Sequence, residues 1–246
     1  MRGAILVVIA AVFLNACVTV KPTTTISRGP GWYTVKKSDT LYSIAWRYGL
    51  DYHELANWNN IKTTDPIYPG QRLLLIKPKH KTLAENKQQQ SSSNSKNTTG
   101  SSSKSKTTST QKKSSAADQL TRKDPKKWIW PTEGKILNTF NAKFLNRRGI
   151  DIAGKEGQPI YAVADGKVVY SGNGLAGYGN LIIIKHSDTF LSAYAHCQER
   201  LVQEGMAVKS GKVVAKMGRE DNTAKLHFEI RRNGKPVDPI KYLPKR

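Results

Sequence analysis

Apolar positions recur along this chain with two different periods, and the two regions are separated by a long stretch with neither. In the first region, Trp32-Tyr33-Thr34-Val35-Lys36 alternates and predicts a short strand. Asp39-Thr40 offers an N-cap to Leu41, Ile44, Ala45 and Tyr48, which follow at helical spacing, and Gly49 ends the stripe. Tyr52, Leu55, Ala56 and Trp58 predict a second short helix. Pro69-Gly70 predicts a turn, and Arg72 to Ile76 a second strand. Residues 31–77 therefore read as a small α+β domain in the order strand, helix, helix, strand. From 128 to 246 the period changes. Lys135–Phe140, Ile160–Ala164, Lys167–Ser171, Asn180–His186, Phe190–His196, Val213–Met217 and Leu226–Arg231 are short and apolar-rich, with Gly- and Asp-containing turns between them. This spacing predicts a mainly antiparallel β domain with little helix.

Between the two domains, residues 81–127 contain no aromatic residue and 18 Ser or Thr. Such a segment cannot bury enough apolar area to offset its ordering entropy. Residues 78–127 are thus predicted to be a disordered, basic linker. The net charge of the chain is +22, and residues 81–127 hold 11 basic against 3 acidic groups. The lysines there fit either simple solubility or weak attraction to anionic wall polymers. A basic surface suits any polyanion, so the choice among polyanions falls to the N-terminus.

Arg2 followed by the apolar run Ala4 to Leu14 has the form of an export signal. A helix of that length, at about 1.5 Å per residue, is too short for a hydrocarbon core of about 30 Å. Leu14-Asn15-Ala16-Cys17 resembles a bacterial lipobox. Residues 1–16 are then a lipoprotein signal peptide, Cys17 the lipidated residue, and 17–30 a tether. An ordinary signal peptide with a chance cysteine is the alternative. Val18, where Asp would signal inner-membrane retention, points by resemblance to the outer membrane. An exported chain has peptidoglycan and lipid within reach, so no nucleic-acid partner is expected. Only one other cysteine exists, Cys197. No disulfide is expected, and Cys197 reads as a small buried thiol.

The first domain resembles the LysM module through Tyr33 to Ala45, Leu55-Ala56, Trp58-Asn59-Asn60-Ile61 and Tyr68-Pro69-Gly70-Gln71-Arg72-Leu73. Ser38 stands where glycine is usual. The resemblance implies binding to the N-acetylglucosamine-containing glycan of peptidoglycan, in a groove between two loops. On this chain the glycan-binding candidates are Ser38, Asp39, Thr40, Leu41, Ile61 and Pro69. Trp46 and Trp58 lie in helical segments and are expected to pack in the core.

The second domain resembles the lysostaphin/LytM-type zinc endopeptidases. The shared segments are Gly149-Ile150-Asp151, Gly157 to Ala162, Ala164 to Val168, Gly177-Tyr178-Gly179-Asn180, Tyr194-Ala195-His196 and Leu226-His227-Phe228-Glu229-Ile230. Active members take two zinc ligands from His-x-Gly-x-Asp and a third from the second His of a His-x-His strand. The other His of that strand and the His of Tyr-x-His assist catalysis. Carried over, Asp151 and His227 match ligands and His196 matches a catalytic histidine. Arg147 stands at the first-ligand position and Lys225 at the first His of His-x-His. Neither cation has a lone pair for zinc, and a hydrolytic zinc usually takes three protein ligands. The site is therefore expected to be degenerate, with zinc absent and no catalytic residue. Arg147 and Lys225 are expected to pair with Asp151, and rescue of the metal site by His186 is a minor alternative.

Together, lipobox, LysM, polar linker and degenerate domain resemble the NlpD-like lipoproteins. That resemblance implies activation of a periplasmic N-acetylmuramoyl-L-alanine amidase in septal wall splitting. The partner contact is then placed around Arg147, Asp151, Tyr178, His196, Lys225 and His227. Two other classes stand beside it: a genuine zinc endopeptidase cutting cross-links, and a passive tether between outer membrane and wall.

Overall fold

In the computed structural model the described residues are 31–78, 123–143 and 148–246. The expected signal peptide, Cys17, the tether, nearly all of the linker and Arg147 lie outside them. In the small domain, β1 (Trp32–Thr34) pairs antiparallel with β2 (Arg72–Leu74), with α1 (Leu41–Tyr48) and α2 (Tyr52–Trp58) between them. Thr40 is the N-cap of α1. Its hydroxyl accepts from the Ser43 amide at 3.0 Å, while Ser43 Oγ accepts from the Thr40 amide at 2.9 Å. This reciprocal pair satisfies two amides that a helix start leaves free. Gly49, at φ 64°, closes the helix in the left-handed region, as its position predicts.

The turn before α1 carries strain. Ser38 has φ 68°, a conformation that costs a residue with a Cβ roughly 1–2 kcal/mol and glycine very little. After the extra chain entropy glycine loses on folding, Ser38→Gly should stabilise the module by about 0.5–1 kcal/mol. The midpoint of urea unfolding of the LysM module should rise; an unchanged or lower midpoint would contradict this.

The large domain is built from β3 (Ile136–Asn138), β4 (Ile150–Ala153), β5 (Pro159–Tyr161), β6 (Gly166–Gly172), β7 (Leu181–Lys185), β8 (Phe190–Ala195), β9 (Cys197–Arg200), β10 (Ala207–Val208), β11 (Val213–Met217), β12 (Arg219–Glu220), β13 (Thr223–Arg232) and β14 (Lys235–Val237). The main sheet runs β10-β6-β7-β8-β13-β4-β3, with β12 and β14 also bonded to β13. Every recorded pairing is antiparallel. A smaller sheet, β5-β11-β9, covers one face. Between the sheets lies a core that includes Ile152, Ile182, Ile184, Val214, Phe228 and Ile230. The alternation expected for Leu226–Arg231 is present and extends over ten residues. β4 was expected only as a ligand motif, yet it is a strand. Ile150 and Ile152 enter the core, which turns Asp151 to the opposite face. Gly149 permits this close pairing, because a Cβ there would lie 2.1 Å from the Phe228 carbonyl oxygen of β13.

The other face of the main sheet is also covered, by the LysM module. An amphipathic surface helix exposes one side, but α1 buries Leu41, Ser43, Ile44, Ala45 and Trp46. One side packs in the LysM core. The other side joins Val169, Leu175, Ile183, Leu191 and Ala193 of the large domain in a single cluster. Read as two separate ordered regions in the sequence, the domains are packed together in the structure.

Candidate functional site

Strand β13 places Lys225, His227, Glu229 and Arg231 on one sheet face, because side chains alternate along a strand. His227 lies opposite Asp151 on β4 and Ala195 on β8. Ala193 and Ala195 of β8 lie beside it on the same face and are buried. The two retained ligand positions meet there: His227 Nδ1 is 2.7 Å from Asp151 Oδ1. Lys225 Nζ donates to Asp151 Oδ2 at 3.1 Å and to Glu220 Oε2 at 2.7 Å. Asn138 Nδ2 donates to Asp151 Oδ2 at 2.9 Å. The expected Lys225–Asp151 pair is thus present, while the Arg147 half of that expectation lies outside the described residues.

His196 is held at φ 57° after β8 and faces Glu220, with Nε2 3.4 Å from Oε1. Its ring centroid is 6.2 Å from that of His227. Tyr178 donates its hydroxyl to Glu229 Oε1 at 2.8 Å. Asp151, Tyr178, His196, Lys225 and His227 therefore lie in one neighbourhood. A cleft beside His196 is lined by Glu156, Gly179, Asn180, Gln198, Gly218 and Arg219. His186 does not join the site. It is buried on the other side of the sheet, with Nε2 2.7 Å from Ser192 Oγ and Nδ1 2.8 Å from the Asp165 carbonyl oxygen. Burial lowers its pKa to about 4. Cys197 is a buried thiol pushed up to about 12 by burial, which fits an inert side chain.

Three participants carried no site assignment in the sequence reading. Glu229, fully buried, accepts from Arg231 Nε at 3.0 Å and lies 3.3 Å from His227 Nε2. The signal for Glu229 and Arg231 was available, because Lys-x-His-x-Glu-x-Arg puts four polar groups on one strand face. Glu220 gave no such signal, since its approach depends on how β12 folds back onto β13.

Electrostatics follow from this packing. Burial would raise the Asp151 carboxyl, but hydrogen bonds from His227, Asn138 and Lys225 hold it far below the usual carboxylate range. Burial would also raise Glu229, but the Arg231 charge and the His227 hydrogen bond hold it at about 2. Burial disfavours a charged His227, yet hydrogen bonds to Asp151 and Glu229 outweigh it and raise its pKa to about 9. His227 is then an imidazolium at neutral pH, with each ring nitrogen donating to a carboxylate. Among the described residues, no group of three or more His, Cys, Asp or Glu is placed to hold a metal ion. Lys225 Nζ and His227 Nδ1 each lie within hydrogen-bond distance of the Asp151 carboxylate, one on each oxygen.

A raised histidine pKa stabilises the fold fully below the unfolded value of about 6.5, and this stabilisation is lost as pH rises through the folded value. From His227 the chain is expected to lose on the order of 3 kcal/mol between pH 6.5 and 10. Urea unfolding across that range measures it, and His227→Gln should flatten the profile. A wild-type profile already flat from pH 7 to 10 would contradict the charged pairing.

In the LysM module, Ser38 and Pro69 are exposed, Ile61 is half-buried and Leu41 is buried. Asp39 Oδ2 accepts from Tyr33 Oη at 2.6 Å and from the Lys36 amide at 2.8 Å. Thr40 caps α1 and donates its hydroxyl to the Val169 carbonyl at 3.2 Å. Trp46 is buried as expected, whereas Trp58 is only half-buried and Trp32 is 51% exposed with Arg72 stacked on it.

Comparison with known proteins agrees with both domains. Residues 33–75 match the LysM domain, and residues 146–239 match Peptidase family M23. The murein hydrolase activator NlpD of Escherichia coli is 40% identical over 87% of this chain and 68% of its own length. The lipoprotein NlpD/LppB homolog of Pseudomonas aeruginosa is 42% identical over 88% of this chain and 78% of its own. The E. coli lipoprotein YgeR is 37% identical over 98% and 92%. With a LysM module, an M23 domain and this likeness running through most of its length, the chain belongs to the NlpD family.

Proposed function

We propose that this chain is a non-catalytic murein hydrolase activator, which binds peptidoglycan through its LysM module and activates a periplasmic N-acetylmuramoyl-L-alanine amidase through the peptidase-like groove. One observation carries the reading. The acid and histidine that would hold zinc are engaged by Lys225, by Glu229 and by each other. Water activation by a metal needs an open coordination position and free donors, and among the described residues Asp151 and His227 are engaged with each other and with Lys225 and Glu229. The groove retains a sheltered floor with exposed lips, Ile136 and Leu137 on β3 among them, which suits contact with a protein segment. The relatives named as murein hydrolase activators support this choice. Lipid attachment at Cys17 on the periplasmic face of the outer membrane belongs to the same proposal. It would raise the effective concentration of a single, weak glycan-binding module at the wall.

The test incubates the purified mature chain with labelled peptidoglycan alone, and with peptidoglycan plus an autoinhibited amidase of this class. Release of label only in the second mixture is expected, with zinc well below one per activator chain. Zinc-dependent release without the amidase would replace the proposal with an endopeptidase. No release in either mixture would leave a tether.

A further inference from the structure

We infer that the LysM module is a removable cover seated on the groove face of the peptidase-like domain, held by Arg231 and displaced when the module takes up glycan. The inference concerns regulation of the same groove and rests on the activator reading for its biological consequence.

The seat is the same sheet face that carries the degenerate site. Along β13, Lys225 and His227 lie at the open end and Glu229 and Arg231 at the covered end. Across the sheet the floor continues through Ala193 and Ile183 to Val169 and Leu175, all beneath the module. Any partner segment lying along the full groove would meet α1. The cover therefore occupies part of the surface that the site itself belongs to.

Arg231 joins the two. The residue is 1% exposed. Nε donates to Glu229 at 3.0 Å, Nη2 to the Tyr178 hydroxyl at 3.3 Å, and Nη1 to the Trp46 carbonyl at 2.7 Å in the last turn of α1. The same group stacks on the Trp46 ring at 3.5 Å from its centroid. A cation suits a helix C-terminus, and a desolvated cation–π contact is among the stronger polar contacts. The rest of the seam is bonded at its rim: Thr40 to the Val169 carbonyl, Arg47 Nη2 to the Gly174 carbonyl at 3.0 Å, and Tyr52 Oη to Asp188 Oδ1 at 3.3 Å. Such polar rim contacts exchange readily with water. Forty-four residues separate Pro78 from Lys123, enough covalent reach for the module to leave its seat.

Thr40 supplies the release. Its hydroxyl lies in the loop assigned to glycan recognition, and while the module is seated that hydroxyl donates to Val169. A ligand that favours the unseated module shifts the equilibrium by its differential affinity, no more. Peptidoglycan in contact with that loop has such a preference, because it competes for the same hydroxyl.

Gly234 allows a test that leaves the site untouched. It occupies the left-handed region at φ 73° in the β13–β14 turn, and a Cβ there would lie 2.3 Å from the Leu50 carbonyl oxygen of the module. Asparagine tolerates that backbone, so Gly234→Asn is a wedge between the domains. Asp188→Ala, which removes the Tyr52 partner, is a second and milder variant. Hydroxyl-radical footprinting of the full mature chain reads exposure of Trp46 and Leu175 in the seam, with Tyr194 on the opposite face as control. Roughly tenfold greater oxidation of Trp46 and Leu175 is expected in Gly234→Asn and a smaller rise in Asp188→Ala, with Tyr194 unchanged. An N-acetylglucosamine tetramer should produce the same rise in the wild-type chain. Equal oxidation in wild type and both variants would overturn the cover. Tetramer that protects residues 38–41 and 61–69 without exposing Trp46 would overturn the release by glycan. Because no amidase is present, these outcomes are separate from failure of the activator reading, which the peptidoglycan assay detects.

Discussion

Glu229→Ala is expected to destabilise the large domain by about 3–5 kcal/mol, the scale on which removing one member of a buried ion pair acts. The carboxylate is fully buried and accepts from Tyr178 and Arg231, with His227 Nε2 within 3.3 Å. Without it, the buried Arg231 loses its carboxylate partner, His227 is left with Asp151 alone, and the Tyr178 hydroxyl loses its acceptor. In a domain of this size the loss corresponds to a drop in Tm of roughly 10 °C or more. Thermal unfolding followed by near-UV circular dichroism measures it. A drop under about 3 °C would mean that water, rather than this carboxylate, neutralises the two cations. Glu229→Gln should fall between, since an amide keeps the shape and an acceptor but not the charge. The variant should also loosen the LysM seat, because Arg231 loses the group that aims it at Trp46.

Asp151→Ala is expected to act on a similar scale, about 3 kcal/mol or more, with a distinctive pH profile. Asp151 accepts from His227, Lys225 and Asn138, and these bonds hold its carboxyl far below the ordinary range. A depressed carboxylate contributes stability above its unfolded pKa of about 4, and that contribution is lost as pH falls through the folded value. The difference between wild type and Asp151→Ala should therefore be full at pH 6 and shrink towards pH 2. In a metallopeptidase the same substitution would act through loss of metal, and a chelator would imitate it. Here a chelator should leave wild-type stability unchanged. Stability that falls on chelation and returns with zinc would show that the groove holds a metal after all.

Much of this was legible in the residues. The LysM helix boundaries follow from Thr40 and Gly49, whose cap chemistry is local and survives any packing. The site neighbourhood was legible because the segments holding Asp151, His196 and His227 resemble those of the zinc endopeptidases, and because alternation along β13 decides which face His227 takes. The Lys225–Asp151 pair was expected because the resemblance puts these opposite charges in one site, and it is present at 3.1 Å. Less was legible where the deciding neighbour is distant in sequence. Glu220 enters through a strand of two residues, and nothing local marks it as the partner of both Lys225 and His196. His186 has the chemistry of a ligand, but the pleat of β7 and the following turn send it into the opposite core.

The sequence by itself determined two domains of known kind and the polar stripe of β13. These depend on residue type and on periods of a few residues. Only the tertiary structure decided that His227 has a carboxylate at each ring nitrogen, that Asp39 and Thr40 are already engaged within the protein, and that the LysM module sits on the groove face with Arg231 bonded to Trp46. Those facts depend on contacts between residues as much as 185 positions apart. Local pattern shows which side of α1 and which face of the sheet are apolar. It does not show that the two apolar surfaces meet, because that requires their shapes and the polar groups at their rim to match in space.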